Sequence, residues 1–393
     1  MIRVGLLHYV SDQVWLGGAN YFRNLLGALI DLPDRRIEPV MLGDGNAALI
    51  AGLQGVAAEC PPSLRRYGAA WAARKITQRF AMRDYLLERD LLAMKVQALF
   101  CTGHLGPGAR IPVLAWIPDF QHLGLPQLFS PAERRARDRQ FAAICRFASR
   151  IVLSSRCAQH DLSRFDGEAV ARSRVLRFVA GVPDPATLES RPALESRYRF
   201  EGRYFFLPSQ FWVHKNHRVV IEALSVLRAR REAVTVLASG SQSDYRHPGH
   251  FAELAARVRA LGVEADFRFL GVIPHADLAA LMWHSIAVLN PSHFEGWSTT
   301  VEEAKSLGVP VLLSGIDVHR EQQPPGGTYF DPDDAAGLAD AMLRCRDAED
   351  PALRRQMADA ARRHLAARRA EFARSFEACV LECIDATPRS GST

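Results

Sequence analysis

Glu295 and Glu303 stand with seven residues between them in the stretch Ile286–Ser314, which reads IAVLNPSHFEGWSTTVEEAKSLGVPVLLS. Ser298, Thr299 and Thr300 lie between the two carboxylates, and serine and threonine are residue types that start helices. The N–H groups of a helix start have no intrahelical acceptor and sit at the positive end of the dipole, so an anion such as phosphate fits there. A carboxylate beside a phosphate is repulsive unless it binds something else, and a sugar hydroxyl is a good partner for it. The pattern points to a ligand that carries both groups, a sugar nucleotide. A purely structural reading uses the same residues. Thr299 with Glu302, or Thr300 with Glu303, fits the capping box S/T-x-x-E, and spacing alone leaves both readings open.

Two further groups have phosphate chemistry. In Pro208–His217, PSQFWVHKNH, Lys215 falls where a loop becomes a helix, so its ammonium can join the helix dipole in holding an anion. A solvated surface lysine would look the same. Gly17-Gly18 follow a strand and precede a helix, an arrangement in which glycine lets the backbone approach a phosphate closely. A tight turn explains that pair equally well.

These residues need elements to position them. Ile286–Leu289 reads as a buried strand ended by Asn290-Pro291-Ser292, Val301–Leu307 as a helix stopped by Gly308, and Val309–Leu313 as another buried strand. The loop with Glu295 therefore leaves the carboxyl end of a strand, which is where open parallel sheets bind ligands. Earlier in the chain, Ile2–Leu7, Ile37–Leu42, Val96–Phe100, Val113–Ile117, Ile151–Leu153 and Arg174–Val179 read as strands. Ser11–Gly18 is a loop before a helix over Ala19–Leu32. Trp71–Leu87 has helical spacing, and helices are expected over Pro131–Phe147 and Ser155–Phe165. After a Pro- and Gly-rich stretch at Gly181–Pro185 the pattern restarts. Strands fall at Tyr204–Leu207, Val234–Ala238 and Phe267–Leu270. Helices fall at Asn216–Arg231, Phe251–Leu261, Ala276–His284, Ala335–Cys345 and Leu353–Asp385. Such alternation predicts α/β units with parallel sheets.

Composition narrows the function classes. The 393 residues suffice for two ordinary domains, and 48% hydrophobic with 23% charged residues is the balance of a globular chain. No apolar run is long enough to span a membrane, and MIRVGLLHYV is too short and strand-like for a signal peptide. The seven cysteines form no C-x-x-C pair, and Cys379 and Cys383 suit one helix face, so a reducing, cytoplasmic setting is expected. Net charge is +6, from 49 basic and 43 acidic residues, and basic residues cluster at Arg65, Arg66, Arg74, Lys75 and Arg79 and at Arg362, Arg363, Arg368 and Arg369. These are solvated helix faces or, for the first cluster, a peripheral contact with anionic membrane. No nucleic-acid-binding pattern, hydrolase nucleophile motif or metal-ligand spacing is present.

Glu295-Gly296-Trp297-Ser298-Thr299-Thr300-Val301-Glu302-Glu303-Ala304, followed by Leu307-Gly308-Val309-Pro310-Val311, resembles the E-x7-E block of family-4 retaining glycosyltransferases. The usual form of that block is close to E-G-F-G-L-P-x-x-E-A-x-A-x-G-x-P-V. The resemblance implies the GT-B fold: two Rossmann-like domains with parallel sheets facing across a cleft, and a C-terminal helix crossing back to the first domain. The expected domains are 1–182 for the acceptor, a linker at 183–200, 201–365 for the sugar nucleotide, and 366–393 for the crossing helix and tail. The implied activity is transfer of a sugar, with retention and without metal or cofactor, from a nucleotide-diphosphate sugar to a hydroxyl of a saccharide, lipid-linked or small-molecule acceptor, as in polysaccharide, glycolipid or glycosylated-metabolite synthesis.

The resemblance also assigns roles. Glu295 would bind donor-sugar hydroxyls and Glu303, not Glu302, the ribose. Lys215, with Ser298, Thr299 and Thr300 and the neighbouring Gly296 and Trp297, would hold the diphosphate. The backbone at Val272 would meet the nucleobase, and Gly17 and Gly18 would face the donor phosphates or the acceptor. The family's arginine before that lysine is absent, its place taken by Gln210 or Ser209. On the acceptor side the family's usual histidine is replaced by Pro118, which leaves Asp119 and His122 as candidates, with His122 favoured as general base because a neutral imidazole accepts a proton near pH 7. Two alternatives stand beside this reading: a sugar-nucleotide epimerase or hydrolase of the same fold, and a non-catalytic GT-B-like binding subunit.

Overall fold

The computed structural model describes residues 1–8, 16–44 and 47–386. Of the expected loop Ser11–Gly18, residues 11–15 lie outside these. The chain divides into two compact units. One comprises Met1–Leu123, Ser130–Val179 and the chain from Ala367 onward; the other comprises Gly124–Phe129 and Ala180–Ala366.

The first unit is a seven-stranded sheet of β1 (Ile2–Leu7), β2 (Ile37–Leu42), β3 (Ala57–Glu59), β4 (Ala98–Cys101), β5 (Val113–Ile117), β6 (Arg150–Leu153) and β7 (Ser173–Val175), in the order β3-β2-β1-β4-β5-β6-β7. Every pairing is parallel. The sheet is covered by helices, so its strands read as apolar runs: all of VLAWI in β5 is buried. The helix Leu16–Ile30 packs Tyr21, Phe22, Leu25, Leu26 and Leu29 inward, the spacing of a single helix face. The helix Pro351–Asp385 groups with the second unit up to Ala366. From Ala367 it joins the first, where Phe372, Phe376, Val380 and Cys383 are buried.

The second unit is a six-stranded parallel sheet of β8 (Tyr204–Pro208), β9 (Thr235–Ser239), β10 (Phe267–Gly271), β11 (Val288–Asn290), β12 (Val311–Ser314) and β13 (Gly327–Phe330), ordered β10-β9-β8-β11-β12-β13. The strand order reverses between β8 and β11. Loops leaving these two strands at their carboxyl ends therefore flank a topological switch point, the crevice in which such sheets bind ligands.

Several sequence expectations change. The helical stretch Trp71–Leu87 is two helices, Ala69–Ala81 and Tyr85–Ala93, separated at Met82 with φ 51°. Asp84 caps the second helix by accepting from Leu87 N, and also receives the Arg74 guanidinium and the Gln78 amide. The basic cluster therefore loses Arg74, whose side chain is 2% exposed. Gly17 and Gly18 lie within the helix Leu16–Ile30, not in a loop before it. The stretch 183–200 contains the helix Arg191–Tyr198, whose Leu194 is buried in the second unit's core. β3 and β13 carry no clear strand pattern because both are short and half-buried.

Candidate active site

β8 and β11 supply the two loops that build the site. The β8 loop is pinned before it reaches Lys215. Phe211 N donates to Ser241 O at 2.9 Å, Trp212 Nε1 to Ser243 O at 3.2 Å and Val213 N to the Asp244 carboxylate at 3.3 Å. Gly240, after β9, has φ +150°, and a Cβ there would lie 2.2 Å from the Ser209 carbonyl oxygen, so the two strand-end loops touch backbone to backbone only because residue 240 has no side chain. Asn216, left-handed at φ 53°, ends the short turn Val213–Lys215 and opens the helix His217–Ala229. Its side-chain amide donates to Pro291 O at 3.2 Å and Pro332 O at 2.8 Å. That buried asparagine ties the Lys215 loop to the loops after β11 and β13.

The result is a direct contact between two residues that sequence spacing places eighty positions apart. Lys215 Nζ lies 2.6 Å from Glu295 Oε1, with side chains 19% and 9% exposed. Ser292 Oγ also donates to Glu295 Oε1, at 2.7 Å. Burial pushes the Glu295 carboxyl up, but the charge of Lys215, the nearby His319 and the hydrogen bonds from Lys215 and Ser292 outweigh it and hold the group below the usual carboxylate range. Glu295 is thus an anion in a dry setting, neutralised by one ammonium.

The helix Thr299–Leu307 answers the capping question. Ser298 is its cap and accepts from Val301 N at 3.4 Å. The box position three residues on is Val301, so neither Glu302 nor Glu303 belongs to a capping box and both structural readings of the pair fall away. Thr299 and Thr300 occupy the first turn, where N–H groups have no intrahelical acceptor, and Thr300 Oγ1 donates to Pro208 O at 3.1 Å, seating that turn at the end of β8. Ser298 is held on both sides by Gln322, which accepts from its N–H and donates to its carbonyl, both at 3.1 Å. Asn290 Nδ2 donates to Ser298 Oγ at 2.7 Å. Gly296 and Trp297 lie half-buried in the same loop.

The two neighbouring glutamates diverge. Glu302 is 1% exposed and accepts from Lys305 at 3.1 Å and Gln322 at 3.2 Å. Glu303 points elsewhere: its carboxylate is 3.6 Å from Nε2 of His275, which is 61% exposed. His275 opens the helix that follows β10 and the turn at Gly271 (φ +70°) and Val272, whose side chain is 74% exposed. Glu303 and Val272 thus lie at the two ends of one short run of residues.

Some residues at this edge carry no sequence signal. Arg246, from the loop after β9, has its guanidinium 4.5 Å from the Phe129 ring centre and 5.3 Å from those of Trp212 and Tyr245. It lies close enough to His214 that its charge, with those of Lys215, His217 and His293, adds to burial in pushing that histidine well down. His319, in the helix Asp317–Gln322 after β12, is fully buried. Its Nδ1–H donates to Ser314 O at 2.9 Å, and its Nε2 makes no hydrogen bond among the described residues. Only position at a strand end could have found either. Gln210 sits half-buried in the β8 loop.

Asp119, His122, Gly17 and Gly18 belong to the first unit. The geometry of His122 does not suit a general base. It is 1% exposed, its Nε2 is 3.1 Å from Asp138 Oδ1, and its Nδ1 accepts from Arg137 Nε at 3.4 Å. Both ring nitrogens are engaged. Burial and Arg137 push it down, against Asp138 and Asp119, and the result stays below the usual histidine value. Asp119 is the more accessible, 29% exposed, with Oδ1 accepting from Gln121 N at 2.9 Å and Arg137 at 2.8 Å. Among the described residues no three His, Cys, Asp or Glu side chains group as a metal site would need, and no helix is long and apolar enough to cross a membrane.

Comparison with known proteins finds relatives of the second unit's sequence and of the whole fold. Residues 198–364 match the family model described as glycosyl transferases group 1. Glycogen synthase of Mycobacterium tuberculosis is 33% identical over 134 residues, 34% of this chain and 30% of its own. The GDP-mannose:cellobiosyl-diphosphopolyprenol alpha-mannosyltransferase of Komagataeibacter xylinus is 29% identical over 145 residues, 36% of this chain and 34% of its own. This chain thus aligns with only about a third of the length of these relatives. Among solved structures, Anabaena HepE in complex with UDP and glucose superposes with a TM-score of 0.69 at 18% identity, covering 96% of this chain and 98% of that one. A glycosyltransferase from Rickettsia africae gives 0.68 at 14% identity, covering 99% of each.

Proposed function

We infer that this chain, of GT-B fold and with residues 198–364 a glycosyl transferases group 1 domain, transfers a sugar from a nucleotide-diphosphate sugar to a hydroxyl acceptor. The observation that carries the reading is the Lys215–Glu295 pair at the carboxyl ends of β8 and β11. A cation for phosphate and a carboxylate for sugar hydroxyls sit in contact at the one place where the second sheet favours ligands. On this reading the donor diphosphate takes Lys215 and the first-turn N–H groups at Thr299 and Thr300. Glu295 orients the sugar, Glu303 the ribose, and the backbone at Val272 meets the base. Arg246, on the loop next to that of Lys215, supplies the second cation that Gln210 cannot. Two cations and oriented N–H groups stabilise the leaving diphosphate without a metal. The leaving phosphate then helps deprotonate the acceptor on the same face, so the sugar keeps its configuration. The acceptor is a saccharide, a lipid-linked saccharide or a small molecule, held by the first unit, with Asp119 the residue there open to a hydroxyl.

Calorimetry with UDP, the nucleotide bound in the HepE structure, and then GDP and ADP tests the donor site. Lys215→Ala and Arg246→Ala are each expected to weaken nucleoside-diphosphate binding by about tenfold or more, the loss of one charged hydrogen bond. Unchanged affinity in a folded Lys215→Ala protein would refute the assignment. Product analysis by NMR then separates the reactions: a glycoside of unchanged anomeric configuration supports retaining transfer, whereas free sugar or an epimerised nucleotide sugar without acceptor supports the alternatives.

A further inference from the structure

The helix Ala69–Ala81 is amphipathic the wrong way round for a helix packed on its own domain. Ala69, Ala72, Ala73, Ile76 and Phe80 recur at spacings of three and four, which puts them on one stripe. All five are exposed, Ile76 by 61% and Phe80 by 84%. The inward side is the polar one. Arg74 and Gln78, on the opposite face, both bond the buried Asp84, at 2.6 Å and 2.5 Å. That ion pair fixes the rotation of the helix and so holds the apolar stripe outward.

The charge around the stripe has one sign. Between Pro61 and Arg83 there are six basic residues, Arg65, Arg66, Arg74, Lys75, Arg79 and Arg83, and no acidic one; Asp84 neutralises Arg74 and Glu88 pairs with Arg83, so those two add no net charge to the border of the stripe. Arg65, Arg66 and Lys75 are exposed. Tyr67, 91% exposed, lies 5.8 Å from Trp71, and Lys75 lies 5.9 Å over the same tryptophan, giving amphipathic aromatic rings beside cations. An apolar stripe with basic and aromatic borders is the composition of a helix that lies in the headgroup layer of an anionic bilayer. A protein partner for the stripe would have to be acidic all round it, and nothing in the first unit favours one.

We propose that the helix Ala69–Ala81 lays its outward stripe into an anionic lipid surface, with Ile76 and Phe80 inserted and Arg65, Arg66 and Lys75 on the headgroups. The proposal stands on the first unit's surface alone and would hold whatever reaction the second unit runs. The full chain is floated with vesicles of phosphatidylcholine alone and of phosphatidylcholine mixed with phosphatidylglycerol, at low and high salt. The expected result is binding to the mixed vesicles only, weakened by salt, since exposed charges are screened. Ile76→Ser combined with Phe80→Ser should reduce partitioning by about tenfold or more through lost apolar burial, and Arg65→Gln with Arg66→Gln should weaken binding to the mixed vesicles and make its salt dependence shallower. Both changes are on exposed side chains, so circular dichroism and melting should match the parent. Binding to neither vesicle, or binding that survives loss of Ile76 and Phe80, overturns the proposal. So does sedimentation showing that the stripe instead joins two copies of the chain, dissociated by the same double variant.

Discussion

Glu302 and Glu303 are neighbours in the chain and opposites in environment. Glu302 is sealed against Lys305 and Gln322, and Gln322 in turn holds Ser298. Glu302→Ala leaves buried donors unpaired, so it should cost about 1–3 kcal/mol of stability and lower the melting temperature. Glu303→Gln should leave melting alone and weaken nucleoside-diphosphate binding by about tenfold. A calorimetric result in which both variants lose affinity equally, with no difference in melting, would show that Glu303 has no ligand role of its own. Acid titration reports on another residue of the site. Burial, with His250 and Lys215, drives His217 down to about 3, whereas an unfolded histidine titrates near 6.5. Between those values the unfolded chain takes up a proton that the folded chain refuses. The stability tied to a neutral His217 is therefore whole above about pH 6.5 and declines as pH falls toward 3. The melting temperature should drop from about pH 7 to about pH 5, and His217→Gln should make that fall shallower. His214, His250 and His319 are lowered too and add in the same direction. A slope identical to the parent's would remove His217 from this account.

At the scale of elements, loops pinned side by side at one sheet edge do the positioning. Asn216 needs a left-handed backbone and two carbonyl partners from different loops, and it obtains both only in the assembled sheet. The Arg74–Asp84 pair plays the same part in the first unit. It joins the two helices Ala69–Ala81 and Tyr85–Ala93 across the kink at Met82, with both side chains 2% exposed. Removing one partner strands a buried charge, so Asp84→Ala should cost about 3–5 kcal/mol. Arg74→Leu combined with Asp84→Leu should recover part of that, because it leaves no charge unpaired. Denaturant titration of the single and double variants measures the difference, and equal losses in both would mean that the Asp84 cap on Leu87, not the ion pair, carries the stability.

At the scale of the molecule, the helix Pro351–Asp385 belongs to both units. Its last turns complete the first unit's core: Phe376 lies 5.1 Å from Phe100 and Phe372 lies 6.2 Å from Tyr21, ring centre to ring centre. Glu377 accepts the N–H groups of Arg36 and Ile37 where β2 begins. Burying each such phenylalanine contributes about 1.5–3 kcal/mol, so a chain ended after Ala366 should lose cooperative unfolding of the first unit. The second unit should keep its own transition, and saturating UDP should raise that transition by mass action. Scanning calorimetry with and without UDP separates the two. A truncated chain with both transitions intact would show the segment after Ala366 to be dispensable.

Local pattern and residue type were enough to mark most of the sheets, because a parallel strand buried on both faces must be apolar throughout and its helices must show one apolar side. They were enough to place Lys215 and Glu295 after strand ends and Ser298–Thr300 at a helix start as well, since strand ends and helix starts are local signals. They were not enough to decide between capping and ligand binding for the glutamates. Ser298, Thr299 and Thr300 all suit a cap, and only the folded helix puts the cap at Ser298 and Val301 in the box position. Nor did they indicate that Arg74 turns inward, that His122 has both ring nitrogens committed, or that Arg246 lies on the loop beside that of Lys215. Each of those depends on a partner carried by a different helix or loop, and a contact between elements leaves no trace in the residues beside it. The Lys215–Glu295 bond is of that kind. Two positions eighty residues apart meet because β8 and β11 lie side by side in the sheet, and that adjacency is a property of the tertiary structure alone.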